Sequence, residues 1–105
     1  MEKTIKEFKF SIVVPCYNEA NAVAQTVEEI SQTLKEWNNE KDTKLSFEMI
    51  FINDGSKDET SNELSKLTEK YKSLKLIDSK VNCGYGASLK KGILASKYDS
   101  IVITD

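Results

Sequence analysis

The chain has 105 residues, 39% of them apolar and 30% charged, enough for one small domain with its own core. Fifteen basic and 17 acidic residues leave a net charge of -2, and the lysines are scattered rather than clustered, which argues against a nucleic-acid-binding or anionic-membrane surface. There is no histidine, which removes Ser-His and Cys-His nucleophiles, and two cysteines far apart form neither a disulfide scaffold nor a zinc cluster.

The start, "MEKTIKEFKF", lacks an apolar core and a small-residue cleavage site, so no signal peptide is expected. "FKFSIVVP" reads as a strand, and its continuous β-branched run predicts cover on both faces. Pro15 is expected to end it, since proline cannot donate to a ladder. After the polar turn "CYNEANAV", a helix is predicted from Val23, Val27, Ile30, Leu34 and Trp37, which share one helical face and are read as core. Asn18 is its expected N-cap.

A polar loop, "NNEKDTK", leads to a second strand, "LSFEMIFIN". In "NDGSKDET", Gly55 suits a tight strand-to-helix turn, and Ser56 with Glu59 has capping-box spacing. The next helix carries Leu64, Leu67 and Tyr71, and "LKLIDS" is a third strand. "KVNCGYG" is a loop and "ASLKKGILASK" a third helix. Gly92 inside that helix costs up to about 1 kcal/mol, which close packing on the sheet would explain. "DSIVITD" is the fourth strand. No apolar run approaches the roughly 20 residues of a membrane span.

Strand and helix alternate as β-α-β-α-β-α-β, which requires a parallel sheet with right-handed crossovers. Ligands of such sheets sit outside the carboxyl ends of the strands. Those ends are "PCYNE", "NDGS", "DSKVN" and "TD", polar at every station. Each has a plain alternative reading. Tyr17 offers a face for base stacking and Glu19 an acceptor for an amine or ribose, but both also suit a helix start. Asp54 can accept from a base or ribose, or simply support the turn. Gly84 and Gly86 look like half of a dinucleotide fingerprint, but the spacing fails and the loop follows the third strand. Asp105 alone is weak; a hard-cation site needs a second acid two residues on. Cys16 and Cys83 are read as reduced, non-catalytic thiols.

Taken in order, "SIVVPCYNEA", "FINDGSKDET", "NCGYGASLKKGILAS" and "SIVITD" resemble the start of family-2 inverting glycosyltransferases, nearest the branch with dolichyl-phosphate mannosyltransferase and polyprenyl-phosphate glycosyltransferases. The likeness runs from Phe10 onward. It implies an α/β, Rossmann-like parallel sheet of strand order 3-2-1-4 with helices on both faces, the N-terminal half of an A-type glycosyltransferase fold. Residues 1–105 are then expected to be one truncated nucleotide-sugar-binding domain. By the resemblance Pro15, Tyr17 and Glu19 line the base and ribose pocket. Asp54 holds the base or ribose, with the Ile52 backbone alongside. Gly84 and Gly86 shape the loop beside the donor, Lys80 faces the phosphates, and Asp105 is the first acid of a D-x-D motif that binds the donor and its Mg²⁺ or Mn²⁺. Asn53 departs from the family, which often has an acid there.

The implied reaction is inverting transfer from a UDP- or GDP-sugar to a lipid-phosphate or saccharide acceptor. The general base is expected in a missing C-terminal half, so no catalytic residue is assigned and the 105 residues alone are expected to be inactive. A cytoplasmic location is expected, with a parent enzyme on the cytoplasmic face of a membrane. The last strand is expected beside "SIVVP", central rather than on an edge, and apolar surface left by truncation is expected to promote self-association. A non-catalytic nucleotide-binding module is the alternative. A receiver domain would need an acidic pair after the first strand, and a dinucleotide oxidoreductase would need glycines there; "PCYNEA" has neither.

Overall fold

The sequence alternation becomes four parallel strands and three helices in a computed structural model that describes residues 4–104. In chain order they are β1 (Lys6–Cys16), α1 (Val23–Asn38), β2 (Thr43–Asp54), α2 (Thr60–Lys70), β3 (Leu74–Ser79), α3 (Tyr85–Ala95) and β4 (Ile101–Ile103). The sheet order is β3-β2-β1-β4, as expected. β4 does pair with β1, Ser11 opposite Ile101 through Val13 opposite Ile103. It is nevertheless an edge strand, so the expected central place is not met: no further described strand lies beyond it.

Strand residues alternate between two buried faces. Ile12, Val14 and Cys16 of β1 and Met49 and Phe51 of β2 meet Val23, Val27 and Leu34 of α1 and Leu64 of α2. On the opposite face Val13, Ile50 and Ile52 pack with Leu89 of α3. Helices thus cover both faces, and the continuous apolar runs of β1 and β2 follow from that. The α1 stripe is core as expected, except at its end. Trp37 is 44% exposed, its ring 5.5 Å from Phe8 and 6.2 Å from Phe10.

Ser11 and Glu48 are buried polar residues on the α3 face. Ser11 Oγ donates to Glu48 Oε2 at 2.6 Å, and the same oxygen accepts from Lys97 N at 2.5 Å. Tyr98 N donates to Ser11 Oγ at 3.3 Å. This cluster ties the segment leaving α3 to the middle of the sheet. Lys75 Nζ lies 2.6 Å from Glu48 Oε1. Burial pushes the Glu48 carboxyl up, but the bonds from Lys75, Ser11 and Lys97 N, with the Lys75 charge, hold it below the ordinary value of 4.5.

Three local expectations are corrected. β1 runs one residue past Pro15, whose missing N–H lies on the side where pairing with β4 has ended at Val13. Asn18 does not cap α1, which starts five residues later behind Ala22. Ser56 and Glu59 form no capping box, since α2 begins at Thr60 and Glu59 makes no side-chain cap bond. Both side chains from the expected caps are instead used between loops.

Candidate functional site

The loops after β1 and β2 are stitched together by polar side chains. Asn18, in the left-handed region at φ 52, donates its N–H to Ser56 Oγ at 2.9 Å, and its Oδ1 accepts from Lys57 N at 2.9 Å. Glu19 N donates to Thr60 Oγ1 at 2.9 Å and Ala20 N to Asp58 Oδ2 at 3.3 Å. Short polar residues suit this task because they reach backbone groups without a helix or strand.

A second clamp joins β2 to the glycine loop. Asp54 is 5% exposed; its Oδ1 accepts from Cys83 N at 2.7 Å and its Oδ2 from Gly84 N at 3.0 Å. Asn82 Nδ2 donates to the Asp54 carbonyl at 3.1 Å. Gly55, at φ +66, lies so close to Val81 and Asn82 that any Cβ there would collide with their backbone. Only glycine fits both the dihedral and the approach.

Between these clamps lies an open cleft of about 310 Å³ lined by Pro15, Cys16, Tyr17, Glu19, Asp54, Asn82, Gly84 and Tyr85. It sits at the carboxyl ends of β1 and β2, beside the point where strand order reverses between β1 and β4. Its rim carries two exposed rings, Tyr17 at 43% and Tyr85 at 53%. Glu19 and Asp54 supply carboxylate acceptors, and the Cys16 thiol is buried in the wall. Burial first, then the nearby Glu19 charge, pushes that thiol up to about 12, so it is inert at neutral pH. The cleft can therefore stack a flat group and accept hydrogen bonds, but it offers no nucleophile.

Of the nine residues expected from sequence, Pro15, Tyr17, Glu19, Asp54 and Gly84 come together here. Ile52, expected alongside through its backbone, is not among the lining residues, and its side chain is fully buried under α3. Lys80 is exposed and, like Gly86, lies outside the lining. Asp105 falls outside the described residues. Cys16, Asn82 and Tyr85 line the cleft without having been anticipated. Tyr85 had a usable signal, an aromatic between two glycines at a helix start. Asn82 and Cys16 had none beyond adjacency. Among the described residues no three His, Cys, Asp or Glu side chains cluster to hold a metal, so these residues alone do not fit a cation.

Comparison with known proteins follows the same outline. Residues 11–105 match the family model described as Glycosyl transferase family 2. The chain is 35% identical over 103 residues to the dolichyl-phosphate beta-glucosyltransferase of Dictyostelium discoideum, covering 96% of this chain and 31% of that protein. It is 32% identical to the human dolichyl-phosphate beta-glucosyltransferase, covering 92% of this chain and 30% of that one. The chain thus spans less than a third of these relatives. In fold it is similar to mannosyltransferase PcManGT of Pyrobaculum calidifontis, solved in complex with GDP-Man and Mn²⁺, with a TM-score of 0.72 at 20% identity, covering 91% of this chain and 26% of that one. It is also similar to TarS 1-349 of S. aureus, with a TM-score of 0.67 at 24% identity, covering 93% and 27%.

Proposed function

The chain belongs to glycosyl transferase family 2, and from that premise we propose that the cleft holds the nucleotide of a UDP- or GDP-sugar donor. One observation carries this reading: three separate segments, after β1, at the tip of β2 and before α3, converge on one cleft at the strand carboxyl ends. Tyr17 stacks on the base, worth about 1–3 kcal/mol in comparable sites. Glu19 and Asp54 accept from base or ribose, and Gly84 lets the loop backbone approach the donor.

A protein that carries this segment at the length of its relatives would transfer the sugar with inversion to a lipid-phosphate or saccharide acceptor. The relatives named as dolichyl-phosphate glucosyltransferases favour a lipid phosphate. A divalent cation, Mg²⁺ or Mn²⁺, enters this reading through Asp105, and the mannosyltransferase neighbour was solved with Mn²⁺. No helix of the described residues is long and apolar enough to cross a membrane. Two free cysteines favour a reducing, cytoplasmic location. Val102 and Ile103 on the β4 edge, 49% and 46% exposed, favour self-association, which sedimentation would detect.

Calorimetric titration with UDP, GDP and their sugars, with and without Mn²⁺, tests the site. Saturable binding that Tyr17→Ala weakens about tenfold supports it. Absence of binding by every nucleotide at millimolar concentration overturns it.

A further inference from the structure

Asn53 occupies the tip of β2, 2% exposed, one residue before Asp54. Both ends of its amide are used. Nδ2 donates to Asp78 Oδ1 at 2.7 Å, and Oδ1 accepts from Ser56 N at 3.2 Å. Asp78 stands directly across the ladder on β3, and its second oxygen accepts from the Ser61 hydroxyl at 2.7 Å. Residue 53 has to supply the donor in this pair, because an ionised carboxylate only accepts. An acid at 53 would face Asp78 at that separation, where two carboxylates compete for one proton.

Ser56 carries the order onward. Its Oγ accepts from Asn18 N, and Asn18 Oδ1 accepts from Lys57 N, both at 2.9 Å. Asn18 sits between Tyr17 and Glu19, both of which line the cleft, and its φ of 52 needs such support in a non-glycine residue. A continuous run of hydrogen bonds therefore leads from Asp78 on β3, through Asn53 and the Gly55 turn, to the loop after β1. Asn53 itself does not line the cleft.

We propose that Asn53 and Asp78 are a positioning pair for the cleft. Asn53, oriented by Asp78, fixes Ser56, and the turn so fixed holds Asn18 in the conformation that presents Tyr17 and Glu19. The binding consequence rests on the nucleotide reading of the cleft; the conformational consequence does not.

The test compares wild type, Asn53→Asp and the double swap Asn53→Asp with Asp78→Asn, in which the donor stands on β3. Two quantities are measured: affinity for UDP and GDP by calorimetry, and ligand-free backbone amide signals of Asn18, Ser56 and Lys57 by NMR. Asn53→Asp is expected to weaken nucleotide binding on the order of tenfold and to move all three signals. The swap is expected to restore affinity to within about threefold and to return the signals. Should Asn53→Asp fail to fold, recovery of folding in the swap supports the pair, and continued failure overturns it. Wild-type affinity and unmoved signals in Asn53→Asp overturn it as well. If wild type binds neither nucleotide, the reading of the cleft falls; the amide signals then decide the pair alone, supporting it if the swap restores them and overturning it if not.

Discussion

Asp54 Oδ2 accepts from Gly84 N at 3.0 Å, joining the tip of β2 to the residue that opens α3. With Cys83 N on its other oxygen at 2.7 Å, the carboxylate holds two successive peptide nitrogens of the glycine loop. Gly84 accepts this because φ 94 is open to it. Each carboxylate oxygen keeps a second lone-pair site, so support of the loop and contact with a ligand are compatible. Asp54→Asn keeps the shape but exchanges one acceptor for a donor, leaving one of the two N–H groups without a partner. It should cost about 1–3 kcal/mol in urea unfolding and weaken UDP or GDP binding in calorimetry. Wild-type stability in this variant would mean that the loop is held by other contacts.

This clamp shows where sequence alone stops. Alternating periods reveal the parallel sheet and its cover on both faces, because two buried faces demand the apolar runs seen at Ile12 to Val14 and Met49 to Ile52; the strand order comes only from the family resemblance. Pattern alone does not say which partner a short polar side chain selects. Asn18 and Ser56 each have the chemistry of a helix cap, yet they pair with each other's loops across 38 residues of chain. Lys80 is close in sequence to the glycine loop but outside the cleft lining, since adjacency does not determine direction. Tyr85 had a sequence signal, an aromatic between two glycines, but its place at the rim follows from the fold, which starts α3 there.

At Gly92, α3 packs closely on the sheet. A Cβ there would lie 2.5 Å from Val13 Cγ1 and 2.8 Å from Ile52 Cδ1, and Val13 is fully buried with a stiff β-branched side chain. Gly92→Ala gains up to about 1 kcal/mol in helix propensity. Overpacking opposes this by about 1–3 kcal/mol. The contact should win, because Val13 is fully buried and its β-branched side chain has little freedom to turn away. A lower denaturation midpoint is expected; a variant as stable as wild type would show that α3 can shift outward freely.

Glu48 links stability to acid. Its folded carboxyl titrates below the ordinary value of 4.5, so the unfolded chain takes up the proton first as pH falls. The stabilisation is fully present above that value and is lost as pH drops through the folded one. Glu48→Gln removes the charge-assisted bonds to Lys75, Ser11 and Lys97 N and should cost about 1–3 kcal/mol at neutral pH. The gap from wild type should narrow as pH is taken from neutral to below 4.5, where wild type begins to lose this stabilisation and the Gln variant has none to lose. Urea midpoints at the two pH values check this, and a gap that stays constant would remove Glu48 from the acid response.

The two thiols should differ sharply in reactivity. Cys16 is 3% exposed, and with its thiol pushed up to about 12, on the order of one in ten thousand is thiolate at pH 8. Cys83 is exposed on the glycine loop, its Sγ directed to the Val81 carbonyl at 3.4 Å. Iodoacetamide on the folded chain should add one label, located at Cys83 by mass spectrometry, and a second only in denaturant. Because the Cys83 N–H, not its sulfur, bonds to Asp54, the label should leave the fold intact. Equal labelling of both cysteines in the native state would mean that the tip of β1 opens to solvent, and with it the wall of the cleft.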